Sequence, residues 1–283
     1  MTIAVTAASG QLGTLVVDSL LEKVPATEIV AVIRDAAKAQ PLTDKGVAVR
    51  IASYDDPAAL ATALEGIEKV LLISSGDVSK DRAAQHANVI DAAAAAGVSL
   101  LAYTSAPAAD TSTLPVAPDH LATERYLATT DLNTVLLRNG WYHENYAPSV
   151  EAARHTGSIL TSAGAGKVAS ASRADLAEAA AVVLTTDQPL KPVYELGGDT
   201  AWTQDELAAA ISDVIGAPVT VANVSPEEQA ATLVAAGVPQ VWADFSVATD
   251  ASIRAGELEA TTGDLGALIR RPTTPLVDSL RAL

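Results

Sequence analysis

The segment Thr6-Ala-Ala-Ser-Gly-Gln-Leu-Gly13 follows a short apolar run, Ile3–Thr6, and precedes Leu15, Val16, Ser19 and Leu20, which recur at helical spacing. A strand, a small-residue turn and a helix in that order place backbone N–H groups and the positive end of a helix at one point. A dinucleotide pyrophosphate binds at such a point. Gly10 lets a phosphate approach the backbone, and Gly13 lets the helix lie close on the strand. The spacing calls for a third glycine at position 7, where the chain has Ala7. If the backbone takes a positive φ there, alanine costs on the order of 1 kcal/mol. An ordinary strand-to-helix turn is the plainer alternative for the same glycines.

Outward from this turn, apolar runs and helical periods alternate. Ile29–Ile33, Val47–Ile51, Lys69–Ile73, Leu100–Thr104 and Thr134–Arg138 read as strands, with helices at Pro57–Leu64 and Asp81–Ala96. Gly97 suits the residue just past a helix end. The pattern predicts an α/β fold: a Rossmann-type, doubly wound parallel sheet with helices on both faces. Residues 1–146 would form the dinucleotide-binding domain. Residues 147–283 would form a smaller C-terminal α/β lobe packed on it, with chain exchange between the two. In that lobe Arg173–Leu184, Thr203–Ile215 and Ser225–Ala236 read as helices, the second opened by the capping-box pair Thr203 and Glu206. Val193–Leu196 and Val219–Val224 read as strands. Trp202 and Trp242 read as packing anchors.

Arg34 stands 21 residues after Gly13, at the tip of the second strand. An acidic residue at that point binds the ribose hydroxyl of NAD, whereas a guanidinium suits the 2′-phosphate of NADP. Lys38 adds a second positive charge. Asp35 follows directly and keeps an NAD reading open, as does a solvated strand end for Arg34.

Composition removes other classes. The chain has 283 residues, 18 Lys+Arg against 34 Asp+Glu, and a formal charge of −16. Without a basic face it is not expected to bind nucleic acid or an anionic membrane surface. No apolar run approaches the roughly 18 residues of a membrane span, and the first residues lack a signal-peptide pattern. The absence of cysteine excludes disulfides, thiol catalysis and Cys-ligated metals. A cytoplasmic location is expected. No helix shows a decisive apolar face, so a homodimer is left open.

The segments TAASGQLG (6–13), VIRD (32–35), LLISS (71–75), AYTS (102–105), LLRNGWYHENY (136–146), GKVASASRAD (166–175) and VYELGGD (193–199) together resemble the NmrA-like group of atypical short-chain dehydrogenases/reductases, most closely its bacterial quinone-reducing members. The likeness runs nearly the whole chain, and its first and fifth segments are the most specific. The resemblance implies a Rossmann domain, a smaller C-terminal lobe with the substrate cleft between them, NADP(H) without flavin, and direct hydride transfer to a quinone or similar small electrophile. By the same likeness Ala7, Ala8, Ser9, Gly10, Gln11 and Leu12 would line the pyrophosphate, and Arg34 would take the 2′-phosphate. Ser74, Ser75 and Gly76 would run under the riboses. Tyr103 and Thr104 would flank the nicotinamide, and Lys167 would close the cleft from the small lobe. Arg138, Asn139, Gly140, Trp141, Tyr142 and His143 would meet the quinone. Ala7 departs from the group's first motif.

None of the six tyrosines is followed four residues later by lysine, so the Tyr-Lys pair of ordinary short-chain dehydrogenases is missing. His120 and Glu124 lie four apart on one helix and share a face. A His120 held by Glu124 is the candidate proton donor; a surface or structural pair is the alternative. No partner ligands for a metal accompany them. Quinone reduction demands little acid catalysis, because the acceptor is already electrophilic and its product can take a proton from water. Trp141 and Tyr142 offer flat surfaces for such a ring. The missing pair and Ala7 also fit a non-enzymatic, NADP(H)-binding redox sensor. An epimerase needs the absent Tyr-Lys pair, and isoflavone-reductase-like enzymes carry lysine where His120 stands.

Overall fold

The computed structural model describes residues 1–77 and 80–283. The chain forms two compact units. The first comprises Met1–Ala109, Pro118–Asn139 and Arg173–Tyr194; the second comprises Asp110–Ala117, Gly140–Ser172 and Glu195–Leu283.

In chain order the elements are β1 (Ile3–Thr6), α1 (Gln11–Leu21), β2 (Ile29–Ile33), α2 (Gln40–Thr43), β3 (Ala48–Ile51), α3 (Pro57–Ala63), β4 (Lys69–Leu72), α4 (Arg82–Ala95), β5 (Leu100–Ser105), α5 (Ala117–Leu127), β6 (Thr134–Asn139), α6 (Ala147–Thr156), β7 (Ser158–Thr161), α7 (Arg173–Thr185), β8 (Val193–Leu196), α8 (Gln204–Ile215), β9 (Thr220–Asn223), α9 (Pro226–Ala235), α10 (Gln240–Arg254), α11 (Asp264–Ile269) and α12 (Leu276–Arg281).

The main sheet has the order β3-β2-β1-β4-β5-β6-β8. The pairings from β3 through β6 are all parallel. Strands β1, β2 and β5 are buried along their whole length, as the continuous apolar runs require. Alternation along each strand divides two faces. Val30, Val32, Val70, Leu72, Leu101 and Tyr103 pack with Leu60, Val89, Ile90 and Ala93 of α3 and α4. Helices α1 and α7 pack on each other, α1 against β1 and β2, and α7 against β4 and β5. The strand order reverses between β1 and β4, which is where an open α/β sheet leaves a crevice at its carboxyl edge.

The second unit holds a two-stranded parallel sheet, β7 with β9, that the sequence pattern gave only in half. Its core includes Val150, Ile159, Val168, Trp202, Leu207, Ile211 and Ile253. The capping box at Thr203 and Glu206 is formed. Trp242 is 45% exposed rather than an anchor, its neighbours on α10 having turned Ala243 inward instead.

Candidate functional site

The turn after β1 is strained where the sequence lacks its glycine. Ala7 has φ 48°, in the left-handed region. A β-carbon on Gly13 would stand 2.4 Å from the Ala7 carbonyl oxygen and 2.7 Å from the Ala8 α-carbon, so helix and turn touch backbone to backbone. Gly10 caps α1 without any side-chain hydrogen bond, and the first turn carries no acid. The helix start is therefore left with its positive end and its first N–H groups uncapped by side chains.

An open cleft of about 480 Å³ runs from this helix start along the strand ends. Ala7, Ser9 and Gly10 line it beside Arg34, Lys38, Ser75 and Gly76, as expected from the sequence. Ala52, Ser53, Tyr54, Asp77 and Gln85 line it as well and were not foreseen. They stand just past β3, past β4 and in the first turn of α4; the parallel order of the strands was the signal that could have placed them.

Arg34 and Lys38 are exposed. Among the described residues neither has an acidic partner. The Asp35 carboxylate instead accepts the Ala37 N–H at 3.0 Å, capping its own turn, and is not part of the cleft lining. Tyr54 donates to the Ile73 carbonyl at 2.7 Å and lies 2.5 Å from the Thr6 hydroxyl, and burial pushes its phenol pKa up.

Several residues expected at the cofactor lie outside the lining of this cleft. Ala8 and Leu12 face the interior, because they begin the buried stripe of α1. Gln11 is exposed and outside the cleft lining. Tyr103 has no exposed surface, since its odd-numbered face of β5 packs on α4. Thr104 is buried too, its hydroxyl accepting the Ser74 N–H at 2.9 Å and donating to Ser74 Oγ at 3.3 Å. Lys167 is exposed in the second unit, where its charge helps to hold the Glu206 carboxyl below its usual range after the larger effect of the Thr203 hydrogen bonds.

The expected pairing of His120 with Glu124 does not form, although both side chains are buried. Glu124 receives Arg138 in a two-pronged contact, Nε to Oε1 at 2.9 Å and Nη2 to Oε2 at 2.6 Å, and also the Ser105 hydroxyl at 2.6 Å. Arg138 is thereby anchored to α5. Arg82 Nη2 lies 3.3 Å from His120 Nε2 and must donate, so the ring proton sits on Nδ1, which donates to Tyr103 Oη at 2.8 Å. Burial, then the charge of Arg82, then His86 bring the His120 pKa down to about 3. At neutral pH it is a neutral imidazole that supports Tyr103, with no imidazolium proton to give.

The 140–143 stretch divides. Gly140 passes so close to β8 that a β-carbon would lie 2.9 Å from the Leu196 carbonyl oxygen. Asn139 is buried at the end of β6. Trp141 lines a cleft of about 270 Å³ with Tyr146 and Phe245. Tyr142 bridges to Ala171. His143 turns to a different cleft with Trp202 and Thr273, its Nδ1 2.8 Å from Ser279 Oγ. Trp141 and His143 therefore line different clefts. Among the described residues no group of three His, Asp or Glu side chains is placed to hold a metal ion.

A cleft at the reversal point of a parallel sheet, beside an uncapped helix start, is where dinucleotide-binding folds hold their ligand, and the chain is a member of the NAD(P)H-binding family, matched over residues 7–187. It is 48% identical to quinone oxidoreductase 2 of Escherichia coli K12, over 99% of this chain and 98% of that one. The crystal structure of an NADPH-dependent quinone oxidoreductase from E. coli complexed with NADPH superposes with a TM-score of 0.95, at 48% identity and 99% coverage of both chains. The Citrobacter sp. triphenylmethane reductase complexed with NADP(H) gives 0.94, at 42% identity and 99% coverage of both.

Proposed function

We propose that the chain is an NADPH-dependent reductase that passes hydride, without flavin, to a quinone or a similar small electrophile. The observation that carries this is the cleft itself: Arg34 and Lys38, which have no acidic partner among the described residues, line it together with the uncapped start of α1. The kinship with a quinone oxidoreductase at 48% identity supplies the acceptor class.

The residues fit a dinucleotide. Ser9 and Gly10 bring backbone to the pyrophosphate at the positive helix end. Arg34 and Lys38 take the 2′-phosphate, and Asp35, turned to the Ala37 N–H, is not part of the cleft lining. Ser75 and Gly76 line the same cleft. The bound nucleotide supplies the hydride. In the second unit Trp141, Tyr146 and Phe245 give one cleft an aromatic lining suited to a planar ring. Hydride addition leaves a phenolate product, which takes one proton from water; His120 is assigned the support of Tyr103, not that proton.

Short-chain dehydrogenase/reductase kinship of the atypical kind is supported by the missing Tyr-Lys pair beside an intact sheet. A cytoplasmic enzyme with no nucleic-acid partner is supported by the net charge of −16. No helix among the described residues is long and apolar enough to cross a membrane. A homodimer is proposed on the exposed Val241 and Trp242 of α10.

The test is NADPH oxidation followed by absorbance as a benzoquinone is added, with NADH in parallel. Rapid turnover with NADPH and slower turnover with NADH is the expected result. NADPH binding without oxidation of any quinone would replace the enzyme with a sensor.

A further inference from the structure

Strand pairing stops at the end of β4, yet the next three backbone N–H groups are all accepted by side chains. Ile73 donates to Thr6 Oγ1 at 3.1 Å, Ser74 to Thr104 Oγ1 at 2.9 Å and Ser75 to His86 Nε2 at 2.8 Å. The acceptors come from β1, β5 and α4. Ser75 is held a second time, because its carbonyl accepts from Arg82 Nε at 2.7 Å. We propose that His86 and Arg82 are positioning residues for nucleotide binding: one helical turn apart on α4, they clamp both backbone groups of Ser75 and fix Ser75, Gly76 and Asp77 as a wall of the cleft. The inference rests on that cleft being the nucleotide site.

The clamp is built to hold one state. His86 is fully buried and Arg82 is 5% exposed. Accepting from Ser75 at Nε2 puts the imidazole proton on Nδ1, which donates to Thr123 Oγ1 at 2.8 Å; that hydroxyl donates on to the Asp119 carbonyl at 2.8 Å. Arg82 also pairs with the Asp119 carboxylate at 3.0 Å, so both clamp residues are anchored to one point of α5. Burial first, and then the guanidinium of Arg82, keep His86 neutral and thus an acceptor. Gly76 has nothing within 4 Å of where a β-carbon would stand, so side-chain packing does not fix the wall at that residue. Its order comes from the clamp, and a wall ordered in advance binds without a further loss of entropy.

His86→Leu removes the acceptor, whereas His86→Gln places an amide oxygen near the position of Nε2. In His86→Leu the Kd and KM for NADPH should rise about tenfold, with kcat at saturating NADPH within about twofold of wild type. His86→Gln should recover most of the affinity. Equal losses in both variants, or a fall in kcat with KM unchanged, would overturn the proposal. A second measurement needs no variant: amide exchange followed by NMR in the nucleotide-free protein should find the Ser75 N–H protected like that of Leu72. Exchange as fast as an exposed amide would overturn the clamp alone. Failure of the wild type to bind NADPH would overturn the functional reading, and the nucleotide role of the clamp with it.

Discussion

Gly13 lies against Ala7 so closely that a β-carbon on the glycine would come within 2.4 Å of the alanine's carbonyl oxygen. The two residues set how near α1 sits to the end of β1, and so where the helix start meets a ligand. Ala7 takes a positive φ to allow this. Replacing Ala7 by glycine should relieve the strain, raising stability by about 1 kcal/mol and tightening NADPH. Gly13→Ala should do the reverse, lowering the urea midpoint and weakening NADPH at least tenfold. Equilibrium unfolding and nucleotide titration of both variants check the pair.

Arg34 and Lys38 line the cleft, and among the described residues neither has an acidic partner. Arg34→Ala should raise KM for NADPH by roughly 10- to 100-fold, about 1.4–2.7 kcal/mol, while leaving KM for NADH nearly unchanged. The NADPH preference should also shrink as salt is raised, since both cations are exposed. Steady-state kinetics with each nucleotide at two ionic strengths would show it.

His86 and His120 are buried and neutral, each with its pKa lowered to about 3 from 6.5. A lowered histidine pKa means that the unfolded chain binds more protons below pH 6.5. Stability should therefore fall as pH drops from about 6.5 towards 3, by about 1.4 kcal/mol per pH unit for each residue. Above pH 7 the two contribute no slope. Urea midpoints between pH 7 and 5 test the sign, and His120→Asn should flatten the dependence.

The ion pair of Arg138 and Glu124 is buried, with side chains 11% and 8% exposed. Glu124→Gln or Arg138→Leu leaves a charge without its partner and should cost about 3–5 kcal/mol. Replacing both by apolar residues should cost less than the two single losses combined. A double-mutant cycle in denaturant measures the difference.

The strand-turn-helix at residues 3–21 was legible because each of its demands is local: an apolar run, small residues, then a helical stripe. The same holds for the capping box at Thr203. The wall formed by Tyr54, Asp77 and Gln85 was not, because the strand order, not any spacing along the chain, brings those segments together. Helical spacing put His120 and Glu124 on one face, but their partners were decided by Tyr103 on β5, Arg138 on β6 and Arg82 on α4. Strand β7 carries little signal in the sequence because only Ile159 and Thr161 of its four residues are buried and its partner β9 lies some sixty residues on.

The packing of α1 on α7 joins the first helix of the chain to one that begins only at Arg173. A nascent chain that has reached the end of β6 carries six strands of the sheet but leaves the apolar stripe of α1 without its cover. On a ribosome adding about 5–20 residues per second, that stripe stays exposed for seconds while 140–172 are made. Growing chains of this protein consequently offer chaperones a defined hydrophobic target, the face of α1 that α7 later covers.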